Sequence, residues 1–196
     1  MSNILVLGLA GSPRRGGNSD ILLDEALAGA AEAGASTEQI VLEGLAIRPC
    51  QNCDGCLNTG VCIIDDDMQA IHHKLKGADR LVLSSPVFFL GLPAQAKAMV
   101  DRCQALWMEK YVLKRRNMFA SDGSRRRALW LGVGGRKGAG NFDGSRATVK
   151  SFFATLDLEF SGELLYPQVD AYRDVLQHPD ALKEARQAGK SLAASP

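Results

Sequence analysis

The amino-acid sequence predicts an α/β fold, in which helices cover both faces of a doubly wound sheet of five parallel strands. Short apolar runs alternate along the chain with segments whose apolar residues recur at helical spacing. Strands that alternate with helices form parallel sheets, because each helix carries the chain back to the edge where the strands begin. A chain of 196 residues is long enough to bury a substantial core. We therefore predict one domain over residues 1–196, with a cysteine-rich loop at 50–62.

The five strands are predicted from apolar runs that end in turns. Residues 3–10 (NILVLGLA) lead into Gly11 without polar alternation, which is typical of a parallel strand buried on both faces. The other strands are predicted at 36–42, 80–84, 127–133 and 159–165. Five such units in about 190 residues fit a flavodoxin-like fold, whose ligand binds at the carboxyl ends of the strands, near the reversal of strand order.

The helices are predicted from apolar periodicity and from their start signals. Apolar residues recur at helical spacing from Ile21 to Ala30, and Asn18 or Ser19 is placed to cap this helix. We expect Asp65-Asp66-Asp67 to open a second helix that ends near Lys76, because acidic residues suit the positive end of the helix dipole. Further helices are predicted at about 93–107, 144–156 and 179–194, with a polar connector at 109–126.

Composition excludes several classes of protein. Net charge is +1 and charged residues make up 23%, so nothing in the balance favours nucleic acid or a membrane surface as a partner. The apolar run at the N-terminus is short, and no segment approaches the roughly 18 apolar residues of a membrane span. Five cysteines without a secretory signal favour a reducing compartment, so we expect a cytoplasmic protein.

The loop after the first strand has the composition of a phosphate site. It reads GSPRRGGNS from Gly11 to Ser19 and leads directly into a helix, whose N-terminal N–H groups favour an anion. Neither a dinucleotide G-x-G-x-x-G motif nor the G-K-[ST] of a triphosphate loop is present, so a monophosphate such as that of FMN fits better. A turn rich in glycine and serine for steric reasons alone is the alternative.

Four cysteines lie within thirteen residues in the pattern C-x2-C-x2-C-x5-C, namely Cys50, Cys53, Cys56 and Cys62. Two-residue gaps allow three thiolates to converge from one short loop, and the fourth can complete the ligand shell of one [4Fe–4S] cluster. Structural zinc sites usually use two well-separated C-x2-C pairs, which this loop lacks. Zinc and metal-free thiols remain open alternatives.

These motifs together carry a family resemblance. The stretch from Gly11 to Ser19 resembles the phosphate loop of the NADPH-dependent FMN reductase and iron–sulfur flavoprotein families, which are flavodoxin-like. The resemblance implies an FMN phosphate site made by Ser12, Arg14, Gly17, Asn18 and Ser19. The cysteine spacing and the following Asp65-Asp66-Asp67-Met68 resemble the C-x-x-x-D-D-M pattern of iron–sulfur flavoproteins.

Two later loops resemble the family's flavin-ring segments. Residues 84–91 resemble its S-P-V-Y-F segment, which implies that the ring lies against Pro86, Val87, Phe88, Phe89 and Leu90. Phe88 stands where the family often has Tyr, so a role of that hydroxyl does not transfer. The glycines at 132–138 resemble the third flavin loop, which implies that backbone N–H groups at Gly134 and Gly135 reach the ring. Phe88 and Phe89 as core residues at a strand end are the alternative.

Three other features are given ordinary roles. Residues 110–127 hold seven basic side chains against Asp122, a net charge of +6 that indicates a solvated face, a site for the extra phosphate of NADPH, an anionic partner or a subunit contact. His72-His73 is assigned to the surface or to packing, and Cys103 to the core. The family-like K-x-x-x-D-R run from Lys97 to Arg102 is assigned a structural role.

The sequence thus predicts an FMN-containing electron-transfer oxidoreductase, in which a [4Fe–4S] cluster relays single electrons to or from the flavin. No acid–base pair is evident, so no catalytic residue is predicted, in keeping with chemistry carried by cofactors. The resemblance implies NAD(P)H as a candidate electron donor, a quinone, ferredoxin or similar partner, and a homodimer or homotetramer. Two alternatives are an NAD(P)H-dependent FMN or quinone reductase without a functional cluster, and a non-enzymatic zinc- or redox-responsive flavodoxin-like module.

Overall fold

A computed structural model describes residues 4–194 and contains a sheet of five parallel strands in the order β2-β1-β3-β4-β5. The strands are β1 (Leu5–Ala10), β2 (Ser36–Val41), β3 (Arg80–Pro86), β4 (Arg127–Gly134) and β5 (Glu159–Pro167). The predicted α/β class is confirmed, and each strand lies within two residues of its predicted bounds. Asn3, which the prediction placed in the first strand, lies outside the described residues.

Helices pack on both faces of this sheet and bury two separate apolar cores. They are α1 (Asn18–Glu32), α2 (Met68–Gly77), α3 (Ala94–Arg102), α4 (Gln104–Trp107), α5 (Asp143–Thr155) and α6 (Ala181–Ala193). Side chains of α2, α3 and α5 form one core, and those of α1 and α6 form the other. Within residues 4–194, none of the helices has both the length and the apolar character that crossing a membrane requires.

Close helix contact explains the glycines of α1 and α6. A Cβ atom at Gly29 would lie 1.9 Å from the Arg186 carbonyl oxygen, and one at Gly189 would lie 1.8 Å from that of Ala26. Both distances are far below van der Waals contact, so the two helices approach more closely than any side chain at these positions permits.

Two helix starts differ from the prediction. The residue that precedes α1 is Gly17, and neither Asn18 nor Ser19 caps the helix with its side chain. The three aspartates precede α2 instead of opening it. Asp66 Oδ1 accepts the backbone N–H of Met68, and Asp67 Oδ2 accepts that of Ala46, 21 positions earlier in the chain. The local bond from the Met68 N–H to the Asp66 side chain competes with helix formation, so α2 begins only at Met68.

The helix predicted at 93–107 is interrupted at Cys103. The Cys103 thiol lies 3.4 Å from the Met99 carbonyl oxygen, while its backbone N–H binds Val100, three residues back. The α-helical ladder breaks there, and a π-helical turn at Met108–Val112 follows α4. Cys103 is buried in the core, as the sequence predicts, and burial raises the pKa of its thiol.

Candidate functional site

A cavity of about 400 Å³ opens at the carboxyl ends of β1, β3 and β4. The strand order reverses between β1 and β3, so the cavity lies where a doubly wound sheet presents a ligand site. Every cofactor residue predicted from the sequence borders it except Phe89 and Leu90. The lining consists of Ser12, Pro13, Arg14, Gly17, Asn18, Ser19, Pro86, Val87, Phe88, Val133, Gly134, Gly135, Val169, Asp170 and Tyr172.

Hydrogen bonds within the loop before α1, and one to Asp20 in α1, fix the conformation of this loop. Ser12 Oγ accepts the backbone N–H of Arg14 at 3.0 Å, and Asp20 Oδ2 accepts that of Gly16 at 2.9 Å. Gly16 has a φ of 63°, a conformation that glycine adopts at little cost. No described side chain caps α1, so its first N–H groups face the loop and can bind an anion.

The segment after β5 closes the cavity, and sequence reasoning missed it. Asn18 Nδ2 donates to the Ala171 carbonyl at 2.8 Å, and its Oδ1 accepts the Val175 N–H at 3.1 Å. Asn18 therefore ties this segment to the first loop, and only one of its amide N–H donors remains for a ligand. The Arg14 guanidinium carbon lies 6.0 Å from the centroid of the Tyr172 ring, at the outer range of a cation–π contact.

A tight, strained turn follows β3. Phe88 and Gly91 exchange two backbone hydrogen bonds of 2.9 Å, and the residues between them have left-handed φ angles of 50° at Phe89 and 64° at Leu90. Phe88 borders the cavity, whereas Phe89 is fully exposed. The Leu90 carbonyl accepts Ser145 Oγ at 3.2 Å from the start of α5, which holds the turn in this conformation.

At the end of β4, Asn141 and Asp170 pack so closely against the backbone of Gly134 and Gly135 that a side chain at either position would collide with them. A Cβ atom at Gly134 would lie 2.2 Å from Asn141 Nδ2, and one at Gly135 would lie 3.0 Å from Asp170 Cγ. Asn141 Nδ2 is buried and has no hydrogen-bond acceptor among the described residues. Gly134 and Gly135 border the cavity without side chains of their own, so a flat ring could approach their backbone there.

The four clustered cysteines border a second, smaller pocket together with Arg102. Burial raises the pKa of the Cys56 thiol, and the neighbouring Cys62, Cys50 and Cys53 raise it further. Within residues 4–194, no three side chains of His, Cys, Asp or Glu are grouped closely enough to hold a single metal ion. The structure therefore places the four thiols around one pocket without forming a single-ion metal site.

A buried ion pair fastens both ends of the cysteine loop to α3. The two terminal nitrogens of Arg102 bind the two Asp66 carboxylate oxygens at 2.7 and 3.0 Å, and also reach the carbonyls of Arg48 and Ile64. Although burial alone would raise it, hydrogen bonds from Arg102 and the Arg48 N–H lower the pKa of Asp66 to about 2. Burial lowers the pKa of Arg102, but Asp66 and the adjacent Cys62 raise it above its ordinary value.

Much of the basic stretch at 110–127 is used inside the protein. Arg126 is buried and donates to four backbone carbonyls, including those of Ala78 and Leu156. Lys110 and Arg116 both pair with Asp157, which lies outside the stretch. The stretch contributes no residue to the cavity at β1, β3 and β4, and Lys110, Arg116 and Arg126 make their contacts within the protein.

The two histidines are divided between core and surface. His72 is buried, with Nε2 at 3.0 Å from the Arg102 carbonyl oxygen, and burial lowers the pKa of its ring. His73 is exposed. The packing and surface roles predicted from the sequence are confirmed.

Comparison with known proteins agrees with this geometry. The sequence pattern of the NADPH-dependent FMN reductase family matches residues 4–143, which include three of the four segments around the cavity. An iron-sulfur flavoprotein of Methanosarcina thermophila is 36% identical over 109 residues, 56% of this chain and 57% of that protein. One from Methanocaldococcus jannaschii is 45% identical over 101 residues, 52% of each chain. The chain thus spans about half the length of the curated relatives it matches.

A solved structure is similar over the whole fold. It is an NAD(P)H:quinone oxidoreductase from Methanothermobacter marburgensis, with a TM-score of 0.75 and 18% sequence identity. The superposition covers 100% of this chain and 98% of the other. At this identity the likeness establishes the flavodoxin-like fold and nothing finer.

Proposed function

Because this chain belongs to the NADPH-dependent FMN reductase family, we propose that it is an FMN-containing electron-transfer oxidoreductase whose flavin binds in the cavity at β1, β3 and β4. One observation carries the proposal: the uncapped N-terminus of α1 and the backbone of Gly134 and Gly135 border the same cavity. Its volume of about 400 Å³ lies within the range of cofactor sites.

The chain's own residues divide the work of binding. Ser12 shapes the loop around the phosphate, Arg14 supplies positive charge, and the N–H groups at the start of α1 donate hydrogen bonds to the anion. Gly134 and Gly135 border the cavity and let the ring approach their backbone. FMN, when bound, supplies the electron-transfer chemistry, so these residues bind and orient it and no acid–base pair is required.

We further propose that Cys50, Cys53, Cys56 and Cys62 hold a [4Fe–4S] cluster. Support comes from their shared pocket, from their spacing, and from relatives named iron-sulfur flavoproteins that are 36% and 45% identical over the matched part. Such a cluster would transfer single electrons to or from the flavin. The proposed electron donor is NAD(P)H or a redox protein such as ferredoxin, and a quinone is a proposed acceptor.

The test is flavin and iron analysis of anaerobically purified protein. We expect about one FMN and about four irons per chain, with visible absorption from both groups. Cys53→Ser should lose the iron and keep the flavin, while Cys103→Ala, which alters a buried cysteine away from the loop, should keep both.

Each other result has a distinct meaning. Flavin without iron in the wild-type protein would refute the cluster and leave a flavin reductase. One zinc per chain without flavin would refute both proposals in favour of a zinc-responsive module. NADPH oxidation with added quinone, unchanged by Cys53→Ser, would show that turnover does not pass through the cysteine loop.

A further inference from the structure

Arg102 places a buried positive charge at the pocket that the four thiols share. Its side chain is 0% exposed, and it borders this pocket together with the cysteines. Four of its hydrogen bonds run to Asp66, Arg48 and Ile64, all of them from the two terminal nitrogens. Arg102 Nε is buried and has no acceptor among the described residues, so one N–H group of this guanidinium is not hydrogen-bonded.

We propose that Arg102 is a positioning residue that fixes the cysteine loop and raises the reduction potential of the cluster bound there, with Asp66 as its opposing charge. This inference rests on the proposed [4Fe–4S] cluster. It adds a pair of residues, outside the four ligands, that tune the electron-transfer step.

The physical reason is the change of charge on reduction. A cluster held by four thiolates is negatively charged and gains one further negative charge with each electron. A positive charge nearby stabilises the reduced form more than the oxidised form, and the effect is larger where water is excluded. Arg102 is fully buried and Asp66 is 5% exposed, so solvent screens neither charge well.

The unused donor supports the same role. A buried N–H without an acceptor destabilises the folded state, so native proteins seldom retain one. A sulfur atom of the loaded loop would satisfy Arg102 Nε, and hydrogen bonds to cluster sulfurs also raise the reduction potential.

The same helix provides a matched control pair. Lys97 and Asp101 form an ion pair of 2.7 Å on α3, with side chains that are 47% and 46% exposed. Lys97→Met removes a positive charge from this helix as Arg102→Met does, but at a site open to water. If any positive charge on this helix shifted the reduction potential, Lys97→Met and Arg102→Met would both show the shift.

The experiment is a redox titration of the anaerobically purified holoprotein, with the reduced cluster followed by electron paramagnetic resonance. We expect Arg102→Met to shift the one-electron equilibrium about tenfold toward the oxidised form, which corresponds to about 59 mV. Asp66→Asn, which leaves Arg102 uncompensated, should shift it in the opposite direction. Lys97→Met should stay within about twofold of wild type, and all variants should retain one FMN per chain.

The sign of the shift in reduction potential distinguishes an electrostatic effect of Arg102 and Asp66 on the cluster from a purely structural role. A purely structural role would lower the iron content of both variants without opposite shifts in potential. Wild-type potentials in both Arg102→Met and Asp66→Asn, or shifts of the same sign, would overturn the inference while leaving the cluster in place. If Arg102→Met binds no iron, Asp66→Asn decides alone, and an unchanged or lowered potential overturns it. Wild-type protein without iron overturns the cluster and this inference together.

Discussion

Replacing Asp66 with Asn should destabilise the protein strongly, although Asp66 belongs to neither apolar core. Its carboxylate is 5% exposed and accepts four hydrogen bonds of 2.7 to 3.1 Å, two from Arg102 and two from backbone N–H groups. Breaking one partner of a buried pair leaves an uncompensated charge and costs about 3–5 kcal/mol. Asn keeps the shape and one acceptor oxygen, so we expect about 3 kcal/mol.

The pKa of Asp66 gives an independent value for its contribution to the free energy of unfolding. Its pKa of about 2 lies just under two units below the ordinary 3.8, which corresponds to about 2 kcal/mol of pH-dependent stability. A lowered carboxyl pKa stabilises the fold above pH 3.8, and this contribution is lost as the pH falls toward 2. About half of it should be gone by pH 3.

The assay is urea unfolding of wild-type and Asp66→Asn protein, followed by far-ultraviolet circular dichroism at pH 7 and at pH 3. Asp101→Asn is the control, because its partner Lys97 is exposed and such pairs contribute about 0.5 kcal/mol. A loss below about 1 kcal/mol for Asp66→Asn, or a difference from wild type that is the same at both pH values, would refute the reasoning.

Three further predictions concern other parts of the chain. Arg14→Ala should weaken FMN binding about tenfold to hundredfold through the lost phosphate contact, as measured by flavin fluorescence, whereas Arg15→Ala, which alters a residue outside the cavity lining, should change it little. Gly189→Ala, whose Cβ would lie 1.8 Å from the Ala26 carbonyl, should lose more than about 3 kcal/mol of stability, while Gly77→Ala on α2 meets nothing within 4 Å and should gain about 0.5 kcal/mol. Because the pKa of His72 is lowered, its contribution to stability is complete above pH 6.5 and is lost as the pH falls below that value. The free energy of unfolding of His72→Gln, measured in urea, should therefore depend less on pH in that range, and that of His73→Gln should match wild type.

The strands and the first loop were predictable because their determinants are local. An apolar run such as that of β1 directly indicates a buried parallel strand. The glycines and serines of the following turn, which leads into a helix, indicate a site for an anion. The topology of the sheet then brings the ends of β1, β3 and β4 to one edge. Most of the cavity lining therefore follows from the sequence without any knowledge of side-chain contacts.

The remainder depended on contacts between distant positions. Tyr172 borders the cavity because the chain runs back along it after β5. Its position shortly after a strand end was the one feature of the sequence that could have indicated this. Arg102 and Asp66 are 36 positions apart, and spacing alone carries no information about such a pair. The contacts of the basic stretch at 110–127 show the same dependence, because Asp157 and the backbone carbonyls that its side chains bind lie elsewhere in the chain.

Helix α3 connects the turn beside the cavity at β1, β3 and β4 to the thiol pocket. The chain enters it from the strained turn beside Phe88, which borders the cavity, and leaves it at Arg102, which borders the thiol pocket. Gln95 near its start binds the Leu45 carbonyl at 2.8 Å, and Arg102 at its end binds both ends of the cysteine loop. Nine helical residues span on the order of 13 Å, so α3 holds the chain before the loop at one end of the helix and both ends of the loop at the other. The position of the thiols relative to the cavity is therefore set by α3, and a change in its anchors should alter electron transfer between the two sites even where all four cysteines remain.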